Sequence, residues 1–277
     1  MRPLSGDARR AVFAPLDDGV VRSEVVVRRL ASAIALGLVV EGEQLPNEAD
    51  LATSLNVSTF TLRDALADLR ERGLVVTRRG RAGGTFVCTA DDALDELTQA
   101  RLQQLSTSDL RELGDHRSAI AGAAAYLAAS RASSTEIQRL RDIVDRAGVA
   151  ERTRDRWRLQ ARFYVELAAA AQSMRLTLEE IDLQGEAGQI PWPAEGSASR
   201  FERLAAAHRQ VVEAIADRDG DLARSRVEAA LALQTEWSVE RRLELARERH
   251  GGASTGAEPA PVGRRPAGRR ARRAAAR

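Results

Sequence analysis

The amino-acid sequence predicts a mainly α-helical protein with two folded regions and an unstructured basic tail. Three observations lead there. Aromatic residues make up only 4% of the chain, and its apolar content is mostly Ala, Leu and Val, which favours helix over sheet. Apolar residues recur at helical spacing along most of the length, interrupted by one short β-type interval between positions 74 and 87. The last stretch, "GGASTGAEPAPVGRRPAGRRARRAAAR", is rich in Gly, Pro, Ala and Arg and cannot bury a core. At 277 residues the chain is long enough for two domains.

The first elements follow from spacing and stop signals. Val26, Leu30, Ala33, Ile34 and Gly37 fall on one face of a helix expected over Val21–Leu38. Gly42 and Pro46 in "EGEQLPN" end it. Asn47 is a good N-cap, and Glu48 and Asp50 suit the first turn of a short helix running to about Leu55. Asn56 and Val57 make a tight turn. Ser58 or Thr59 caps a helix to about Arg72, with Leu62, Leu66 and Leu69 as its buried stripe and Gly73 as its stop. Two short β-type runs, Leu74–Thr77 and Thr85–Val87, flank "RRGRAGG" as a hairpin with an Arg/Gly tip. Helix, helix, tight turn, helix and hairpin form the order of a winged helix-turn-helix.

From Asp91 to about Glu248 the pattern is helical almost throughout, with "GQIPWPAEGSAS" as the main interruption. A bundle of six or seven helices is the natural architecture. The expected organisation is a flexible N-terminal arm over 1–19, the winged helix-turn-helix over 20–90, an all-helical domain over 91–248 and a disordered Arg-rich tail over 249–277.

Composition excludes several classes. A single cysteine, Cys88, rules out a disulfide framework and suits a reducing cytosol; it reads as a small buried apolar residue. No apolar run approaches the roughly 20 residues of a membrane span. "MRPLSGDARRAVFAPLDDGV" carries charge on both sides of a short apolar patch, unlike a secretory signal. A cytoplasmic protein without membrane attachment is expected. No phosphate loop, metal constellation or nucleophile–base pair is evident, and "GRAGG" lacks the strand-then-helix context of a dinucleotide site, so the chain does not read as an enzyme.

Charge points to a partner. The net charge is only +2, yet six Arg face three acids between Ser58 and Val87, and seven Arg with no acid follow Pro261. Basic clusters on a near-neutral chain suit a polyanion. A recognition helix sets its N-terminal residues against base edges and buries its other face. Ser58, Thr59, Thr61 and Arg63 crowd such a tip: short hydroxyl side chains allow close approach, and Arg can pair with guanine through two hydrogen bonds. Arg79 and Arg81 on the hairpin tip offer phosphate contacts, and Gly83 lets the backbone close in. Each of these residues alone also reads as a helix cap or a solvated charge; their arrangement is what identifies double-stranded DNA as the partner.

"GEQLPNEADLATSLNVSTFTLRDALADLRERGLVVTRRGRAGGTFV" resembles the DNA-binding domain of GntR-type bacterial transcription regulators, which reads roughly G-x-x-L-P-S-E-R-E-L-A, G-V-S-R-x-P-V-R-E-A-L, L-x-x-x-G-L-V and G-x-G-T-F-V. The all-helical remainder, with "LRELGDHRSAIAGAAAYLAA", is similar to the FCD effector domain of the FadR-like subgroup. The resemblance implies a ligand-responsive regulator, most often a repressor, working as a homodimer on an operator. Ala49, Thr59 and Thr61 replace the family's usual Arg, Arg and Pro, and Arg63 is retained, so the operator is expected to depart from the family's common one.

The same resemblance places a metal site in many FCD domains. Its four ligand positions fall here on Gln160, Tyr164, His208 and Ala230, and one ligand of four cannot hold an ion. No metal and no other cofactor is expected. Arg117 stands where the family carries an Arg that often meets an effector carboxylate, and Gln160, Tyr164 and His208 complete a candidate effector pocket for a small organic acid. Against this stands a constitutive or architectural DNA-binding protein whose bundle only dimerises, with Arg117 in a salt bridge and His208 as a packed core residue.

The tail reads either as a tolerated extension or as a source of sequence-independent phosphate contacts. Deleting the residues after Gly252 separates the two. An unchanged salt slope of DNA binding fits the extension, and a slope reduced by about one unit per lost phosphate contact fits the second.

Overall fold

The computed structural model of the protein describes residues 5–16, 23–80, 83–88, 105–187 and 197–254. Helix α1, Gly6–Val12, is capped by Ser5, whose Oγ accepts from the Ala8 amide at 3.1 Å. Ala8, Ala11 and Val12 are fully buried at helical spacing. Residues 5–16 thus depart from the expected flexible arm. Three small apolar side chains on one face suffice to dock this short helix, and the charges around them, Asp7, Arg9 and Arg10, stay on the other.

Helix α2, Ser23–Ala35, buries Val26, Val27, Leu30, Ala33 and Ile34. It ends three residues earlier than the apolar pattern predicts because Gly37 takes φ +65°, and the Gly37 and Leu38 amides turn back to the Ile34 and Ala33 carbonyls. Asn47 caps α3, Glu48–Leu55, accepting from the Asp50 amide at 2.9 Å. Asn56 adopts φ +55°, a left-handed geometry that Asn tolerates, and forms the tight turn. Helix α4, Thr59–Glu71, buries Leu62, Ala65, Leu66 and Leu69 against α2 and α3. Strands β1, Val75–Arg78, and β2, Gly84–Val87, pair antiparallel with Val75 opposite Val87 and Arg78 opposite Gly84. Residues 42–45 line the other edge of β2 through Leu45 N to Thr85 O and Val87 N to Glu43 O, both 2.9 Å. The winged helix-turn-helix is therefore present element by element.

Six helices follow among the described residues: α5 Thr107–Arg131, α6 Ser134–Val149, α7 Thr153–Ala170, α8 Met174–Ala187, α9 Ser197–Ala216 and α10 Gly220–Ser254. Capping boxes start α5 (Ser106 with Asp109) and α6 (Ser133 with Glu136). Helix α10 runs along α5 and continues through residues 249–254, which were expected to begin the disordered tail. The Leu, Glu, Ala and Arg of "RRLELARER" are strong helix formers and carry it past that point. The remaining tail, 255–277, lies outside the described residues.

The two halves share an apolar core. Leu30, Ile34, Leu51, Leu62 and Leu69 belong to the same cluster as Ala161, Val165 and Ala169 of α7 and Ile181 of α8. Arg29 of α2 crosses to α8, where its Nε and Nη2 donate to the two carboxylate oxygens of Asp182, each at 2.9 Å. Helix α1 packs on α7 and α8. The Ser5 amide donates to Glu166 Oε1 at 3.0 Å, and Arg162 and Arg139 approach the same buried carboxylate at 3.5 and 3.6 Å.

Helix α8 comes close against α2 at Gly185, where an added Cβ would lie 2.6 Å from Ser32 Cβ. Gly185→Ala is expected to destabilise the protein by about 1–3 kcal/mol through overpacking, and adding Ser32→Gly to recover part of the loss, measured by urea unfolding. Equal stability of Gly185→Ala and wild type would show that the interface yields.

Candidate functional site

Two sets of side chains stand out. The first lies on α4 and the wing. Ser58 Oγ accepts from the Thr61 amide at 3.0 Å and sits 2.8 Å from Thr61 Oγ1, so both hydroxyls serve the helix cap. Thr59 is exposed beside them. Arg63 Nε donates to Glu48 Oε2 of α3 at 2.7 Å. Both side chains remain largely exposed, so the pair is weak and exchangeable. Arg78 lies over the Phe86 ring, 4.6 Å from its centroid, and Arg79 is exposed at the hairpin tip. Gly83 closes the tip with its amide on the Gly80 carbonyl at 2.8 Å; a Cβ there would stand 2.6 Å from the Arg78 carbonyl oxygen. Arg81, expected as a wing contact, lies outside the described residues. Sequence reasoning missed Phe60, 80% exposed in the first turn of α4, because it looked there for polar groups alone.

The second set is a polar cluster inside the bundle. Arg117 of α5, Gln160 and Tyr164 of α7, Glu180 and Gln184 of α8, His208 of α9 and Gln234 of α10 are all buried. Tyr164 is the hub. Its hydroxyl lies 2.9 Å from His208 Nε2 and accepts from Gln234 Nε2. Gln234 Oε1 in turn accepts from Arg117 Nη2 at 3.2 Å, and the Arg117 guanidinium is 5.5 Å from the Tyr164 ring centroid. The His208 ring stacks on Phe163, with centroids 4.0 Å apart and planes within 11°. Gln184 Nε2 donates to Glu180 Oε1 at 2.7 Å. Three of the cluster's buried polar atoms have no hydrogen-bond partner: Arg117 Nε, Gln160 Oε1 and Glu180 Oε2. The structure thus brings Arg117, Tyr164 and His208 into one network and sets Gln160 one helical turn from Tyr164.

Glu180, Gln184 and Gln234 were not expected here. Thr177, Glu180 and Gln184 form a polar stripe at helical spacing, and such a stripe reads as a solvent face unless the neighbouring helices are known.

Burial sets the ionisation. Burial first, and then the Arg117 charge, lower the His208 imidazole to about 3, so it is neutral. Burial raises the Tyr164 phenol beyond its ordinary range, with Arg117 and the Gln234 hydrogen bond opposing. Burial also raises Glu180, against the Gln184 hydrogen bond and Arg117. A guanidinium therefore stands among neutral groups and a carboxyl biased toward its protonated form.

These side chains do not fit a divalent metal. His208 supplies the single imidazole and its Nε2 faces the Tyr164 hydroxyl, Ala230 supplies no donor, and Arg117 adds positive charge nearby. No group of three His, Cys, Asp or Glu side chains able to hold an ion occurs among the described residues.

The pH dependence follows from the signs. A His with a lowered folded pKa binds its proton in the unfolded chain first, so stability present above pH 6.5 is lost as pH falls toward 3, at about 1.4 kcal/mol per pH unit. Glu180, raised, acts in the opposite sense and loses stability as pH rises above its ordinary 4.5. Subtracting His208→Gln from wild type isolates the first effect. Their difference in unfolding free energy should shrink by about that slope between pH 6 and 4. Parallel curves would mean that His208 is not held neutral.

Comparison with known proteins identifies the family. Residues 112–233 match the FCD domain, and residues 22–87 match the bacterial regulatory proteins of the gntR family. RmpR of Mycobacterium gastri, provisionally named as an HTH-type transcriptional regulator, is 41% identical over 199 residues, which span 71% of this chain and 73% of that protein. An Escherichia coli (strain K12) protein, provisionally named as an L-lactate dehydrogenase operon regulatory protein, is 28% identical over 221 residues, spanning 76% of this chain and 83% of that protein. A solved structure of a GntR regulator from Rhodococcus sp. RHA1 covers 79% of this chain and 97% of its own at 19% identity, with a TM-score of 0.48. No helix among the described residues is long and apolar enough to cross a membrane. The chain belongs to the GntR family of bacterial transcription regulators, with an FCD effector-binding domain behind its helix-turn-helix, and is not an enzyme.

Proposed function

We propose that the protein is a ligand-responsive, sequence-specific repressor of the FadR-like subgroup. It acts in the cytoplasm as a homodimer on a double-stranded DNA operator and responds to a small organic acid. The observation that carries the effector class is Arg117: a buried guanidinium with an unpartnered Nε, set among a neutral imidazole, a phenol and amide side chains. An interior with a fixed positive charge and few negative ones favours a carboxylate, and a guanidinium suits its planar oxygens. Gln160, whose Oε1 is also unpartnered, and Tyr164 and His208 supply the remaining polar contacts. The name of the E. coli relative, which ties that protein to an L-lactate dehydrogenase operon, fits a small acid as the effector class.

On the DNA side, Ser58, Thr59, Thr61 and Arg63 read the major groove, with Arg79, Arg81 and Gly83 at the wing. Linkage joins the two sites through α8, which carries Glu180 and Gln184 toward the interior and Asp182 and Gly185 toward α2. A ligand that favours one placement of α8 shifts α2 and hence the spacing of the two reading heads.

A second reading, a constitutive DNA-binding protein whose bundle only dimerises, draws on one observation. The Arg117–Gln234–Tyr164–His208 chain already satisfies most of its own polar atoms without a ligand.

Gel retardation with the protein's own promoter DNA tests the common part. Wild type should give a retarded band at modest salt, and Arg63→Ala should weaken binding by roughly 1–3 kcal/mol. No band for wild type would overturn the DNA reading. A thermal-shift screen of small carboxylic acids then separates the two readings. A bound acid at 100 times its Kd adds about 2.7 kcal/mol of stability, and Arg117→Ala should abolish the shift. A screen in which no acid raises Tm favours the constitutive protein.

A further inference from the structure

We propose that Phe60 reads the 5-methyl group of a thymine in the major groove, which makes it a specificity-determining residue of the recognition helix; this rests on the DNA-binding reading above. Phe60 is the second residue of α4 and is 80% exposed. The N-terminal turn of a recognition helix is the part that meets base edges. Around it the Ser58 and Thr61 hydroxyls bond each other and the helix N-terminus, and Arg63 makes an exposed, exchangeable pair with Glu48, so the neighbours offer polar contacts and the ring alone offers an apolar one. The ring is the largest side chain at the tip. Its apolar surface is left to water in a family where this helix is built for contact.

Chemistry narrows the target. A phenyl ring has no donor for a phosphate oxygen and no partner for the polar atoms of base edges. In the major groove the thymine methyl is the apolar group that a base pair presents. A protein partner is disfavoured by isolation. The residues beside Phe60, namely Thr59, Thr61, Arg63 and Asp64, are polar, so the ring does not belong to an apolar patch of the size that marks such interfaces. Two of the family's arginine positions are Ala49 and Thr59 here, which leaves more of the discrimination to other side chains at the tip. The small Thr59 also leaves room beside the ring.

The test uses the full-length chain. Duplexes with a randomised centre are selected by wild type and by Phe60→Ala, and the wild-type winner is remade with deoxyuridine at each thymine in turn. At one position in each half-site, loss of the methyl should weaken wild type about fourfold, the value of one buried carbon. Phe60→Ala should bind the thymine and uracil duplexes equally and should select with relaxed preference at that position. Phe60→Leu, still apolar, should keep part of the discrimination. The substituted residue is exposed, so an unchanged circular dichroism melt is expected. If Phe60→Ala selects the same bases as wild type, or loses affinity evenly while every uracil duplex binds wild type as well as its thymine parent, the proposal is overturned. If wild type selects no sequence at all, the DNA-binding reading fails first and takes this proposal with it, an outcome distinct from the others.

Discussion

The packing of α2 against α8 is the constraint on which the rest of the molecule depends. Most two-domain chains join their parts by a linker and a polar interface. Here the first helix of the DNA-reading half lies in the same apolar cluster as α7 and α8, and a glycine lets the two helices approach until side chain meets backbone. The two-pronged Arg29–Asp182 pair fixes their register. Asp182 is half-exposed, so the pair contributes modestly to stability and mainly to orientation. Close-packed contacts of this kind change by switching between arrangements rather than by gradual deformation, as the linkage proposed above requires of α8.

The buried polar cluster is the second feature that packing alone does not require. Sequestering polar atoms without partners costs about 1–3 kcal/mol each. Arg117 Nε, Gln160 Oε1 and Glu180 Oε2 are such atoms, all within the centre of the bundle. An apolar filling would be simpler and at least as stable. Keeping a guanidinium there makes sense when something else supplies its counter-charge. Burial keeps the imidazole unprotonated and biases the Glu180 carboxyl toward holding its proton, the latter against the pull of Arg117, so neither group balances the guanidinium.

Much of the fold was legible because its signals are local. The Asn47 and Ser58 caps, the Asn56 turn, the Gly73 stop and the β-type runs each depend on a few neighbouring residues, and each appears within a residue or two of its expected place. What the sequence concealed is what depends on distant partners. Nothing local in "SGDARRAV" says that α7 and α8 provide a surface for it, and nothing local in "TLEEIDLQ" says that Glu180 faces inward while Asp182 faces α2. The candidate site divides in the same way. Arg117, Gln160, Tyr164 and His208 came from positional resemblance. Gln234 and Glu180, contributed by two other helices, need the three-dimensional arrangement to be found.

The docking of α1 has a practical meaning for anyone handling the chain. Its leading residues look dispensable, yet the Ser5 amide completes the surroundings of a carboxylate that is nearly sealed from solvent beside two guanidinium groups. Trimming back to the start of α2, as one would for an ordinary leader, would unroof that ionic pocket and lay bare the small apolar side chains beneath it.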